Sequence, residues 1–116
     1  MKAKFTWFTE NTDDEGNIIF SGTNIKFKSR TDEKIGSYSC DVYIFDKIPD
    51  FEYYDKGIIE LFNDENKCVF KCEVEANEEN INILDIYDPT INELNLSLED
   101  CVIDNTNTTT KFYFVE

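Results

Sequence analysis

Twenty-five carboxylates, four cysteines and no histidine make up the reactive inventory of this 116-residue chain. Without histidine there is no Ser-His or Cys-His pair to activate a nucleophile. There is also no imidazole for general acid–base work, and no ligand of the kind most catalytic zinc sites use. The four glycines, Gly16, Gly22, Gly36 and Gly57, stand too far apart to form a phosphate-cradling loop. A carboxylate pair of the kind that hydrolyses glycosides survives this screen. With acids so frequent, some pair falls at any chosen spacing, and the pattern carries no information. The inventory points away from an enzyme, and neither a cofactor nor a metal is expected.

The cysteines are Cys40, Cys68, Cys72 and Cys101, with no Cys-x-x-Cys among them. On one strand, Cys68 and Cys72 lie about 13 Å apart at ~3.3 Å per residue. That is beyond one tetrahedral metal and beyond a mutual disulfide. Reduced, buried thiols acting as small hydrophobes are expected, with disulfides between neighbouring strands as the alternative for an exported chain. Asn11, Asp13, Glu15 and Gly16 fill places one, three, five and six of an EF-hand-like loop. Its twelfth place is Gly22 instead of a bidentate Glu, and its flanks read as strands, so an ordinary acidic turn is expected.

The segment Asp46-Lys47-Ile48-Pro49-Asp50-Phe51-Glu52-Tyr53-Tyr54-Asp55 is the best local candidate for a binding surface. It interleaves the aromatic rings of Phe51, Tyr53 and Tyr54 with the acids Asp46, Asp50, Glu52 and Asp55. Aromatic side chains anchor interfaces at low entropic cost, and carboxylates select a basic partner. Pro49 argues against a central strand here. The competing reading is a loop whose rings tuck under a sheet while its acids stay solvated. Glu73, Glu75, Glu78 and Glu79, with Asp85 and Asp88, are acids that extend such a surface or form an ordinary solvent face.

Charge narrows the partner. Eleven basic against 25 acidic residues give 11 − 25 = −14. Residues 1–34 hold six of each, so the whole excess lies in residues 35–116. A field of that sign repels nucleic acid and anionic membranes, and it steers basic proteins toward the chain. Plain solubility is the other use of such acidity. Lys2, Lys4, Lys26, Lys28 and Arg30 fall on the polar phase of two segments, and form a basic stripe if those segments pair.

The elements that must position these groups read as strands. Ala3, Phe5 and Trp7 alternate with Lys2, Lys4 and Thr6. Ile25 and Phe27 alternate with Lys26 and Lys28. Tyr38, Cys40, Val42 and Ile44 alternate with Ser39, Asp41 and Tyr43. Residues 68–75 set an apolar face against an almost wholly charged one. Period two of this kind predicts half-buried antiparallel strands. Further strands are expected at 17–20, 57–62, 81–87 and 111–115. Clusters of Asn, Asp and Gly punctuate the runs at 11–16, 31–36, 63–66, 77–80 and 105–109, where such residues favour turns. Thr90 and Glu93 have the spacing of a helix capping box, with Ile91, Leu94, Leu98, Cys101 and Val102 on one helical face. Asn92, Asn95 and Ser97 are poor mid-helix residues, and the balance favours a strand there.

The expected fold is a single all-β domain over residues 1–116: an antiparallel sandwich or barrel of about seven or eight strands, with one short helix near 90–102 as an option. Aromatic residues make up 15% of the chain, enough for a real core despite the charge. The first residues lack an apolar leader core, and no stretch nears the ~18 apolar residues of a membrane span. A cytoplasmic location is expected unless a leader has been removed. Triplets at Asn95-Leu96-Ser97 and Asn107-Thr108-Thr109 are then chance matches to the glycosylation pattern. The expected function is a non-enzymatic inhibitor, of immunity or anti-defence type. Its acidic surface would cover a basic site on a toxin, a nuclease or another nucleic-acid-handling enzyme, with no direct contact to nucleic acid or membrane. Two alternatives remain. One is a ligand-binding module, for instance for carbohydrate, stacking on Trp7 or the Tyr53–Tyr54 pair. The other is a structural or assembly subunit.

Overall fold

The computed structural model describes residues 2–49, 55–77, 79, 83–97, 101–105 and 108–115. Ten strands follow one another in that range, with no helix among the described residues. They are β1 (Lys2–Thr12), β2 (Ile18–Ile25), β3 (Phe27–Ile35), β4 (Tyr38–Asp46), β5 (Lys56–Phe62), β6 (Cys68–Ala76), β7 (Leu84–Ile86), β8 (Ile91–Asn92), β9 (Cys101–Asp104) and β10 (Thr109–Val115). Sheet A has the order β2-β1-β5-β6-β7, with β8 also on β6. Sheet B has the order β3-β4-β10-β9. Every ladder is antiparallel, and the two sheets stay open instead of closing into a barrel.

Alternation decides what each strand buries. Phe5 and Trp7 of β1, Ile59 and Leu61 of β5, and Phe70, Cys72 and Val74 of β6 turn inward from sheet A. Tyr43, Phe45, Phe112 and Phe114 meet them from sheet B. Phe5, Phe45 and Phe112 form a triangle of edge-to-face rings, with centroids 5.5, 5.1 and 5.7 Å apart, which ties one sheet to the other. Each such pair contributes about 0.5–1.5 kcal/mol beyond the area it buries.

The turns follow one local rule. Asp13 and Asn63 each open a loop by accepting two backbone N–H groups on the side-chain oxygen, from Glu15 and Asn17 in one case and from Glu65 and Lys67 in the other. Gly16 and Asn66 then take positive φ, +84° and +61°. The Asp13 carboxylate is thus occupied by backbone donors, chiefly at Asn17, which hold its pKa below the usual carboxylate value. It serves as the organiser of an acidic turn.

Five expectations change. Residues 31–35, expected to be a turn, continue β3 and pair with β4. Among the described residues the strand count is ten, since β7, β8 and β9 are short separate pieces. The capping box near 90–102 does not form. The Thr90 N–H and hydroxyl both go to the Lys71 carbonyl, and the Glu93 carboxylate takes Lys67 at 2.9 Å. Asn92 clasps both backbone groups of Leu96 at 2.9 Å, and Asn95 adopts φ +54°. Those side-chain bonds hold β8 and a turn where a helix would need free backbone. In β4 the apolar phase is inverted. Tyr43 and Phe45 face the core, while Cys40 and Val42 are buried outside the core cluster, beside the cross-strand partners Glu33, Thr31, Val115 and Tyr113. Two aromatic rings bury more apolar area than Cys and Val, and they win the inward face. Finally, the basic stripe is divided. The β1 ladder ends at Phe5↔Ile25, and after Lys26 the chain crosses to sheet B and carries Lys28 and Arg30 with it.

Candidate functional site

The outer face of sheet A gathers the acids that alternation turns away from the core. Opposite Phe70, Cys72 and Val74, strand β6 presents Lys71, Glu73 and Glu75. The β6–β7 ladder sets Asp85 directly across from Glu75, and β5 sets Lys56 across from Glu75 on the other side. Beyond β7, the Tyr87 N–H bonds to the Glu73 carbonyl, which brings its ring back over the same face. Its hydroxyl donates to Glu75 at 2.6 Å. Asn77 donates its amide N–H to Asp85 at 3.0 Å.

These groups line an open recess of about 320 Å³, bounded by Glu75, Ala76, Asn77, Glu79, Asp85 and Tyr87. The cation facing it is Lys56, 3.4 Å from Glu73 and 3.9 Å from Glu75. Around it stand the carboxylates Glu73, Glu75, Glu79 and Asp85. The field registers on Tyr87. The hydrogen bond to Glu75, with the negative charges of Glu75, Asp85 and Glu73 around it, pushes its phenol up to about 12. Next to the recess runs an apolar groove of about 150 Å³, lined by Phe8, Phe20, Ile58, Lys56 and Glu73. Lys56 and Glu73 line this groove, and Lys56 reaches Glu75, at the edge of the recess, at 3.9 Å. A carboxylate-rich hollow beside an apolar slot suits a Lys or Arg side chain with an apolar neighbour.

No protein-family model, curated protein or solved structure matches the chain. The site is therefore read from its chemistry alone.

Of the sequence-derived candidates, Asp46 ends β4, half-buried, with Lys28 Nζ at 3.9 Å. Asp55 is buried at 8% exposure, and its carbonyl accepts from the Ala76 N–H. Asp50, Phe51, Glu52, Tyr53 and Tyr54 lie outside the described residues, as does Glu78. Ile48 belongs to the core, and its N–H bonds to the buried Thr110 hydroxyl at 3.3 Å. Trp7 is 1% exposed, edge-on to Phe5, and offers no stacking platform for a sugar.

Glu73, Glu75, Glu79 and Asp85 were legible as candidate acids. The partners that shape them were not. Phe8 and Ile58 break the alternation of their strands by putting an apolar residue on the polar phase, and that irregularity was the available signal. Among the described residues there is no cluster of three or more His, Cys, Asp or Glu arranged to hold a metal. No helix among them is long and apolar enough to cross a membrane. All four cysteines are free thiols, and burial pushes Cys72 and Cys101 up to about 12.

Proposed function

We propose that this chain is a non-enzymatic binding protein of inhibitor or immunity type. Its acidic recess on sheet A would cover a basic site on a toxin or a nucleic-acid-handling enzyme. The observation that carries this reading is the Glu75–Asp85–Tyr87 hollow, with the Phe8–Phe20–Ile58 groove beyond the Lys56 that pairs with Glu75. Carboxylates on a rigid sheet stand where phosphates would bind, and the groove adds apolar contact that bare acidity lacks. A cytoplasmic setting, where reduced cysteines persist, is part of the same proposal.

The test has two arms. Immobilised chain is challenged with lysate of its source at low and high salt, and the captured protein is identified and assayed. The expected capture is a basic protein, retained at low salt and weakened at high salt, whose activity falls on binding. The Glu75→Lys/Asp85→Lys variant should lose that inhibition. Retention that ignores salt, or inhibition untouched by the double charge reversal, sinks the reading.

A further inference from the structure

The two open sheets expose edges, and an unprotected edge is a template on which another strand can pair. Most of the edges here are blunted. β7 and β8 are three and two residues long, with Pro89 between them. β9 has four residues. β3 carries Lys28, Arg30, Asp32, Glu33 and Lys34 within nine residues. β2 has none of these devices. Its eight residues, Ile18–Ile25, include no charge and no proline. Residues 18–24 are all exposed, with Ile18 at 61%, Ile19 at 45% and Phe20 at 67%. Among the described residues, its ladder partner is β1 alone.

We propose that β2 pairs antiparallel with β2 of a second copy, about a two-fold axis near Ser21 and Gly22, and joins two A sheets into one. Charge selects a second copy as the occupant. Asp14 and Glu15 stand exposed just before β2 and Lys26 stands exposed just after it, while Lys28 and Arg30 lie on β3 of sheet B, paired with Asp46 and with Asp32 and Asp41. Antiparallel self-pairing lays Lys26 of one copy beside the Asp14–Glu15 turn of the other, twice. The excess of negative charge lies in residues 35–116, while residues 1–34 hold six acids and six bases. Two chains of net charge −14 therefore meet with least repulsion along this segment.

Side chains agree with that alignment. With Ser21 on the axis, Phe20 of each copy stands opposite Gly22 of the other, the position in β2 without a side chain. The Phe8 and Phe20 rings of both copies then share one apolar patch on the outer face. The seam lies in the plane of the sheet, and β7, which borders the acidic recess, is at the far edge. Self-pairing therefore leaves the recess open, while the groove at Phe8 and Phe20 borders the seam.

The measurement is mass in solution by sedimentation equilibrium across a concentration series. Salt is held near ~150 mM, where screening over about 8 Å leaves mainly local contacts. The wild-type mass should climb from 13.6 kDa toward twice that value. Phe20→Lys/Ser21→Lys places like charges on the axis at exposed positions, and should stay at 13.6 kDa while keeping the near-ultraviolet signal of buried Trp7. A charge swap gives the second check. Lys26→Glu and Asp14→Lys/Glu15→Lys should each be monomeric alone, and an equal mixture should recover the doubled mass. A wild-type chain that stays monomeric throughout, a Phe20→Lys/Ser21→Lys variant that still doubles, or a mixture that fails to recover overturns the proposal.

Discussion

Trp7 lies over Gly57 on the inner face of sheet A, and Phe8 lies over Gly22 on its outer face. The two arrangements look alike. Each pairs an aromatic residue of β1 with a cross-strand glycine that makes room for its ring. They differ in what surrounds the ring. A Cβ at Gly57 would come within 2.6 Å of Trp7 and 2.7 Å of Phe5, both of which are almost fully buried and edge-packed. A Cβ at Gly22 would meet the tip of Phe8 at 2.9 Å, on a face where that ring is only half-buried. The inner face is a closed jigsaw with no spare volume. The outer face has side chains that can turn toward water.

The same substitution on the two faces should therefore separate them. Gly57→Ala is expected to cost about 1–3 kcal/mol in urea unfolding, because neither ring can retreat. A variant as stable as the wild type would mean that the inner face yields after all. The inner thiols come next. With Cys72 pushed up to about 12 from 9.0, roughly a thousandth of the usual thiolate is present at neutral pH. Alkylation of Cys72 and Cys101 in the folded protein should be slow and should require unfolding. Because burial raises these values in the folded state, the linked stability is whole below pH 9 and is lost as pH climbs through 12. Rapid labelling of both thiols at neutral pH would show that the core breathes.

On the outer face the effects shrink. Gly22→Ala removes a flexible residue from a strand while nudging Phe8, and the two effects should nearly cancel, leaving a change within ~0.5 kcal/mol. A loss as large as at Gly57 would erase the distinction between the faces. The smallest effect is electrostatic. Glu75→Gln should bring the Tyr87 phenol down from about 12, since the bond to Glu75 is the chief cause of its rise. The tyrosinate absorbance that Tyr87→Phe removes identifies the group, and an unshifted titration would detach Tyr87 from the acidic field.

Local pattern made several of these elements readable. In β1 and β6 the apolar residues recur at every second position, and Phe5, Trp7, Phe70, Cys72 and Val74 all reach the core. The acidic turn at 13–17 was readable as well, because Asp13 and Gly16 satisfy a local geometry. β4 was misread because both its phases are apolar. Only the volume available between the sheets chooses Tyr43 and Phe45 over Cys40 and Val42. The segment near 90 was ambiguous for a related reason. A capping-box spacing competes with side-chain bonds to Lys71 and Leu96, and only one of those partners is near in sequence.

The candidate site divides in the same way. Glu73 and Glu75 could be assigned to a solvent face from β6 alone, since period two is a property of one strand. That Asp85 lies across from Glu75, that Tyr87 folds back onto it, and that Phe8, Phe20 and Ile58 open a groove beside them depends on which strands pair. Pairing is decided by chain closure over long separations and by the fit of side-chain volumes, neither of which is written in any one segment. The sequence by itself determined an acidic, antiparallel β chain with most of its inward residues. Tertiary structure decided that Asp55 and Trp7 are hidden, that the acids of β6 and β7 share one recess, and that β2 is left with an uncharged, exposed edge.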